Sequence, residues 1–555
     1  MNLVHRIIAG RKKALPPIDD EILFMSATEL AERIRNRKLK CEDVIRSYYK
    51  RAQEVQPLIN AITDARYEGA LKEAIQIDQF LEKVAKTPEE IKKDTPLLGV
   101  PFSCKEVLGI EGLRQTCGIY EERNNIADSD GDAPALYRAA GAIPVTVTNV
   151  PELCYWIHPV NKIYGQTKNP YDTTRIPGGS SGGEAALIAS AGAVIGIGTD
   201  MAGSIRIPSS LCGIYGHKPS SGEAVILYHV AISLSNFTLE KVMHFQNLTL
   251  KRASFLLNDP NISKAIEQLA NYLRVVSNRG YFPWIEPEEM SFDHINCTGP
   301  MCRYAEDLLL LMKVLSRNDP RLDLDKQVDF KNVKIYYMEE TPNNPVLPAI
   351  KQAFKKAVTH FEERFEVKAI KLQLPEFEYS FDLFKYKVLD VDFLSKRLLA
   401  DKNGKVHLWL EILKFMVGIS EHCFPFLLTA ILEKNEKDQI YYETMKIADS
   451  LEKKLQKIFQ EEAIFLLPAA PDTAPFCHSS ITKLRNMMYF PIFNHFGVPI
   501  TSVPVSLHNG LPIGIQVVSG QLNDRLTIAA AVELNTVFRG WKNPCSTTAR
   551  KVWSA

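Results

Sequence analysis

Between Gly178 and Pro208 the chain reads GGSSGGEAALIASAGAVIGIGTDMAGSIRIP. Glycines, serines and two acids stand there among small apolar residues. Glycine beside serine serves three chemistries: a phosphate cradle, a flexible linker, or the seat of a nucleophile. A phosphate loop of the GxxxxGK[ST] kind needs a lysine after its last glycine. Here Glu184 follows Gly182 and Gly183, and a carboxylate would repel phosphate. Gly192, Gly196 and Gly198 do not have the GxGxxG spacing of a dinucleotide loop. A linker is not apolar, whereas AALIASAGAVIGIG reads as a buried helix followed by a buried strand. A nucleophile remains.

A serine hydroxyl is a weak nucleophile until a base takes its proton. Histidine is the usual base. The nearest are His158 and His217, neither with an acid at a telling spacing, and both read as structural. A lysine is then the candidate. GVPFSCKEVLGI places Lys105 at the end of an apolar strand, where an unpaired ammonium is out of place on structural grounds.

These residues carry a resemblance. GVPFSCKE, PGGSSGGEAALIASAGAVIGIGTDMAGSIRIP and GIYGHKPS resemble the amidase signature family. Lys105 lies 75 residues before Ser180, and Ser180 lies 24 before Ser204, which is that family's Lys–Ser–Ser spacing. The likeness covers roughly residues 25–222 and 275–545. TNVPELCYWIHPVNKIYGQTKNPYD, CTGPMCRYAEDLLLLMKVL and FGVPITSVPVSLHNGLPIGIQVVSG are similar, within the family, to the animal fatty-acid amide hydrolases of the second type.

The resemblance implies a fold, a reaction and roles. The fold is α/β: a large twisted mixed β-sheet covered by α-helices on both faces. The reaction is hydrolysis of carboxylic amides, with long-chain fatty-acid primary amides or N-acylethanolamines as the substrate class. Ser204 is the implied acyl nucleophile, Ser180 the bridging serine with a cis peptide bond before it, and Lys105 the neutral base. The backbone amides of Met201, Ala202, Gly203 and Ser204 would face the oxyanion. Ser181, Asp200 and Arg206 are implied supports. Cys154, Tyr155 and Trp156 fall where the family lines the scissile site with a loop, against a competing reading as core. No metal and no cofactor are implied. One departure stands out: most members have Gly-Gly before the nucleophile, and this chain has Ala202-Gly203. If position 202 needs a positive φ, alanine costs on the order of 1 kcal/mol.

The elements that must hold these residues are legible in outline. Residues 1–20 read as an arm. Ser26-Ala-Thr-Glu29 reads as a capping box opening a helix to about Arg35. A second helix follows Cys41, with Val44, Ile45, Tyr48 and Tyr49 on one face. Helical character continues over 66–84 and 88–93, and short strands then alternate with helices through residue 216. Helices are expected around 303–316 and 345–364, a strand at 333–338, apolar helices within 379–435, and strands again before a last helix near Asp524. The apolar helices at 406–434 line an acyl channel, touch a membrane surface, or are ordinary core; periodicity alone does not separate these.

Bulk properties narrow the rest. The 555 residues carry 66 basic and 65 acidic side chains, and no basic field points to nucleic acid. The ten cysteines form no CxxC pair, which fits reduced, mostly buried thiols rather than zinc or a disulfide framework. No signal peptide or membrane-spanning run is read, so a cytoplasmic or membrane-associated location is expected. A homodimer and peripheral membrane contact stay open. One amidase domain, 21–555, is expected, interrupted at 223–274 by a surface insertion or by a gene-model artefact such as a translated intron; the composition favours the artefact. Two rival functions remain. One is a small-amide hydrolase or amidotransferase subunit. The other is a lipid-binding relic with impaired chemistry.

Overall fold

The structure, a computed structural model, describes residues 11–221, 296–389, 399, 407–432 and 439–545. The segment 223–274 and the first ten residues of the arm lie outside the described residues. Eleven strands make one mixed sheet: β1 (Ile62–Ala65), β2 (Pro101–Lys105), β3 (Ile143–Thr148), β4 (Ile195–Asp200), β5 (Tyr215–Lys218), β6 (Cys297–Cys302), β7 (Lys334–Tyr337), β8 (Ile370–Lys371), β9 (Ala463–Pro468), β10 (Ile500–His508) and β11 (Leu511–Ser519). Their order across the sheet is β1-β3-β2-β4-β6-β5-β10-β11-β9-β7-β8. Strands β3, β2 and β4 run parallel, as do β9, β7 and β8, and the remaining neighbours are antiparallel. Every residue of β2, β3 and β4 is buried. That explains their near-continuous apolar runs: a parallel strand covered on both faces has no polar side to show. This is the mixed α/β sheet that the sequence led us to expect.

Seven helices matter for the site and its frame: α1 (Ala27–Arg35), α2 (Cys41–Ile59), α3 (Gly182–Ala189), α4 (Arg206–Cys212), α5 (Leu408–Met416), α6 (Phe424–Leu432) and α7 (Asp524–Phe538). Ser26 Oγ accepts from the Glu29 amide at 3.1 Å and so caps α1. The Glu29 carboxylate turns outward to Arg33 instead of closing the reciprocal box. A full reciprocal box forms at Thr87 and Glu90, opening the helix Pro88–Asp94. On α2, Val44, Ile45 and Tyr48 are buried, but Tyr49 is 41% exposed and stacks on Tyr67. Of the arm, residues 11–20 have no regular structure, yet Leu15 and Ile18 are buried and the Pro16 and Pro17 carbonyls accept from the buried Arg51 guanidinium. All ten cysteines are free, nine of them buried, as the composition led us to expect.

Strand β6 is the element the sequence hid. CTGPMC carries a glycine and a proline, which argue against a central strand. It nevertheless lies between β4 and β5, with Pro300 opposite Ile197 and Gly299 opposite Gly198.

Candidate active site

Lys105 is the last residue of β2, and its parallel neighbour β4 ends five positions before Ile205 at Asp200. The carboxyl ends of adjacent parallel strands are where open α/β sheets place their chemistry. Past Asp200 the chain leaves the sheet through residues 201–205 and enters α4. The serine pair at 180–181 arrives from the other side, as the lead into α3. The fold thus converges Lys105, Ser180 and the Ser204 loop.

Lys105 has no exposed surface, and its Nζ donates to Ser180 Oγ and to Thr199 Oγ1, both at 2.7 Å. Burial lowers its pKa, with Cys154 and the Asp200 carboxylate pulling the other way. Burial thus favours the neutral form of an amine that faces a serine hydroxyl. Ser180 is joined to Gly179 by a cis peptide bond. Gly179 itself is required by close approach: a Cβ there would sit 2.7 Å from the Trp156 carbonyl oxygen. Ser204 is partly exposed, and its carbonyl accepts from the Ser181 amide at 3.2 Å, setting the two serine segments side by side. The Ser204 hydroxyl has no hydrogen bond to Ser180 among the described residues. Ser181 Oγ turns away to the backbone of Thr199.

A second buried acid lies beneath. Glu184, in the first turn of α3, accepts from Thr148 Oγ1 at 2.7 Å and contacts Ser103 Oγ. Burial pushes its pKa up to about 8, against the Ser103 and Thr148 hydroxyls and the Lys105 charge, which pull it down.

The loop 201–205 is clamped by one ion pair. Arg206 Nε donates to Asp200 Oδ2 at 3.0 Å and Nη2 to Oδ1 at 2.9 Å, both side chains fully buried. Burial opposes the Asp200 charge, but Arg206, followed by Asn494, holds its carboxyl well below the usual range. The same carboxylate accepts from the amides of Gly203 at 2.8 Å and Ile205 at 3.0 Å. Four amides, those of residues 201–204, were expected to face the oxyanion. The Gly203 amide is spent on Asp200, leaving those of Met201, Ala202 and Ser204 without a hydrogen-bond partner among the described residues.

The left-handed position of the loop is Gly203, with φ 113°, and Ala202 is not among the positive-φ residues. The cost attached to Ala202 therefore does not arise. A Cβ on Gly203 would lie 2.6 Å from Phe490 Cβ. Gly203→Ala is expected to strain the loop by about 1–3 kcal/mol and to lower kcat about 10²-fold by displacing the neighbouring amides. Steady-state kinetics beside a thermal melt would check both.

Of the residues expected to line the scissile site, Cys154 is buried and Tyr155 and Trp156 are half-buried. Trp156 Nε1 donates to Ser480 Oγ at 3.4 Å, and the following residues pack against Gly179. The two histidines take structural partners. His158 Nε2 meets the Thr167 carbonyl at 3.1 Å, and burial lowers its pKa to about 4. His217 lies between Thr501 Oγ1 and Asp524. That acid comes from α7, 307 residues along, which is why no spacing revealed it.

Three site residues escaped the sequence reading. Thr199 is the second partner of the Lys105 amine, one residue before Asp200 on β4, and strand neighbourhood was its only signal. Asn494 donates to Asp200 Oδ1 at 2.9 Å, and Gln516 Oε1 accepts from Arg206 Nη1 at 3.2 Å. Both lie about three hundred residues away, with no local pattern to mark them.

Comparison with known proteins agrees with the fold and with the family the sequence resembles. The Amidase family model matches residues 43–228 and 273–528, a match that breaks across the expected interruption. Fatty-acid amide hydrolase 2 of Homo sapiens is 35% identical over 97% of this chain and 94% of its own length. A glutamyl-tRNA(Gln) amidotransferase polypeptide of Carboxydothermus hydrogenoformans is 25% identical over 93% of this chain and 98% of its own. Among solved structures, one of a fatty acid amide hydrolase superposes with a TM-score of 0.68 at 19% identity, covering 94% of this chain and 87% of that one. This chain belongs to the amidase family and is an amide-hydrolysing enzyme.

Proposed function

We propose that the enzyme cleaves long-chain fatty-acid amides, either primary amides or N-acylethanolamines, through Ser204, Ser180 and Lys105 and an acyl-enzyme intermediate. The observation that carries the chemistry is the 2.7 Å contact of a fully buried lysine amine with Ser180 Oγ. Ser204 Oγ attacks the amide carbonyl while its proton passes to Ser180, and the Ser180 proton to Lys105 Nζ. The oxyanion meets the amides of Met201, Ala202 and Ser204. The relay then runs backwards and protonates the departing nitrogen, which releases the amine and leaves the acyl-Ser204 ester. Water repeats the sequence and frees the acid. Ser181, Asp200 and Arg206 hold the loop in register without touching substrate.

The lipid part of the proposal draws on different residues. A small hollow whose lining mixes Ile157, Ile207, Leu211 and Phe490 with Asp472 and Lys483 lies beside the Trp156 loop and the Ser204 loop. Helix α5 has no buried residue and, with the turn after it, exposes Trp409 (65%), Met416 (66%), Val417 (70%) and Ile419 (68%). An apolar face of this kind suits contact with a lipid surface, where such amides partition. Among the described residues no helix is long and apolar enough to cross a membrane. The human relative at 35% identity adds support for the substrate class.

The test is a series of saturated acyl amides from acetamide upward, with Ser204→Ala as control. Each buried methylene is worth about 0.8 kcal/mol, roughly fourfold in kcat/KM until the pocket is full. A flat series, or faster turnover of glutamine, would favour the second reading: a small-amide hydrolase or amidotransferase component. The amidotransferase relative, 25% identical, is the observation on that side.

A further inference from the structure

The loop that carries Cys154, Tyr155 and Trp156 begins at Glu152, and the backbone there is unusual. Leu153 and Cys154 are consecutive non-glycine residues in the left-handed region, φ 54° and 61°. Such pairs persist only where surrounding contacts over-determine them. Some of those contacts come from the body: the Leu153 amide donates to the Cys117 carbonyl at 2.9 Å. The others come from the turn between α5 and α6. Glu152 Oε1 accepts from His422 Nδ1 at 2.5 Å, and Oε2 accepts from the Cys423 amide at 2.8 Å. Both carboxylate oxygens are thus committed to two adjacent residues of one turn, 270 residues along the chain. Glu152 is 2% exposed and His422 5%.

The helix pair needs such a fastening. No residue of α5 is buried, and α6 turns Phe426 and Leu427 inward. His422 stacks on Phe426, ring centroids 5.0 Å apart, so the ring that receives Glu152 is also packed on the inner face of α6. Thr429 Oγ1 reaches the Tyr155 carbonyl at 3.4 Å, and Cys423 Sγ reaches the Val160 carbonyl at 3.6 Å. Burial works against a charged ring, but Glu152, with Glu121 and Glu411 nearby, outweighs it, so the His422 pKa is raised. A charge-assisted hydrogen bond between buried groups is the strong kind.

We propose that Glu152 and His422 are a positioning pair that fastens the α5–α6 helix pair to the substrate loop and so sets the preference for long acyl chains. Neither residue touches the reacting atoms. The carboxylate fixes the loop that meets the amide end of the substrate, and the imidazole fixes the apolar helices suited to the far end of the chain. Breaking the contact therefore releases the helix pair while leaving Lys105, Ser180 and Ser204 in place. This assignment rests on the proposal that the substrate is a long-chain amide.

The experiment measures kcat and KM for a long-chain and a short-chain acyl amide with the wild type, Glu152→Ala, His422→Ala and His422→Asn. The two alanine variants should lose about 10- to 100-fold in kcat/KM on the long chain, mostly through KM. In His422→Ala, which leaves the Cys423 amide on Glu152 Oε2, short-chain kcat should stay within about threefold, which also reports that the variant folds. Asn places an amide nitrogen near the position of Nδ1, so His422→Asn should recover much of the long-chain loss. Equal losses on both chain lengths in His422→Ala, unchanged long-chain KM, or no recovery with Asn would overturn the pair's role while leaving the substrate class intact. A wild type indifferent to chain length would overturn both, and that result is visible before any variant is made.

Discussion

Lys105→Met should lower kcat for amides by about 10²- to 10⁴-fold, and considerably less for the ester of the same acid. The reason lies in the leaving group. An amine leaves only once protonated, whereas an alkoxide leaves with little help. A relay that both removes and returns a proton therefore matters more to the amide. Methionine fills the volume of the lysine stem without its nitrogen, so Ser180 and Thr199 lose their common partner and the buried strand keeps its packing. Losing a buried amine should not destabilise the fold, since desolvation already lowers its pKa. The pH dependence has a defined sign. The amine must be neutral to accept a proton, so wild-type kcat/KM falls as pH drops through the lowered Lys105 pKa. In Lys105→Met that acid limb should vanish along with the amide preference. Matched amide and ester profiles across pH would check it. An equal loss on both substrates would remove the relay from the mechanism.

How much of this was legible beforehand follows physical lines. Residues close in sequence and chemically unusual were readable: a lysine ending an apolar strand, serines among glycines, an acid and an arginine six positions apart. Strands β2, β3 and β4 were readable because full burial makes them continuous apolar runs. Strand β6 was not, since its glycine and proline mimic a loop and only its place between β4 and β5 makes it a strand. The partners supplied from a distance were equally silent. Asn494 and Gln516 on the clamp, and His422 on Glu152, are ordinary polar residues locally, and their roles exist only where the fold brings them in. Ala202 shows the opposite case. A glycine in most family members raises the question of backbone freedom at 202, and the left-handed turn falls instead on Gly203.

The second large effect is expected at the clamp itself. Asp200→Ala should destabilise the enzyme by about 3–5 kcal/mol and abolish turnover, although Asp200 touches no substrate. Its removal leaves the Arg206 guanidinium without a charge partner where no water reaches it. It also strands the amides of Gly203 and Ile205, which have no other acceptor among the described residues. The energy is the penalty of an unpaired buried charge, not the worth of the pair. That distinction can be measured. Arg206→Leu alone should cost as much, because it leaves the carboxylate unpaired. Asp200→Asn with Arg206→Leu should recover stability, because no buried charge remains and Asn still accepts from an amide. Activity should not recover, since the loop loses the arginine's hold on the Phe490 carbonyl. Acid gives an independent readout. The folded-state pKa of Asp200 is depressed, so its contribution is complete above the unfolded value of about 3.9 and is lost as pH falls towards the folded one. Asp200→Asn should therefore show a shallower loss of stability below about pH 4 than the wild type. Denaturant titrations at several acidic pH values would decide it, and parallel curves would mean that the clamp is not where the fold stores this stability.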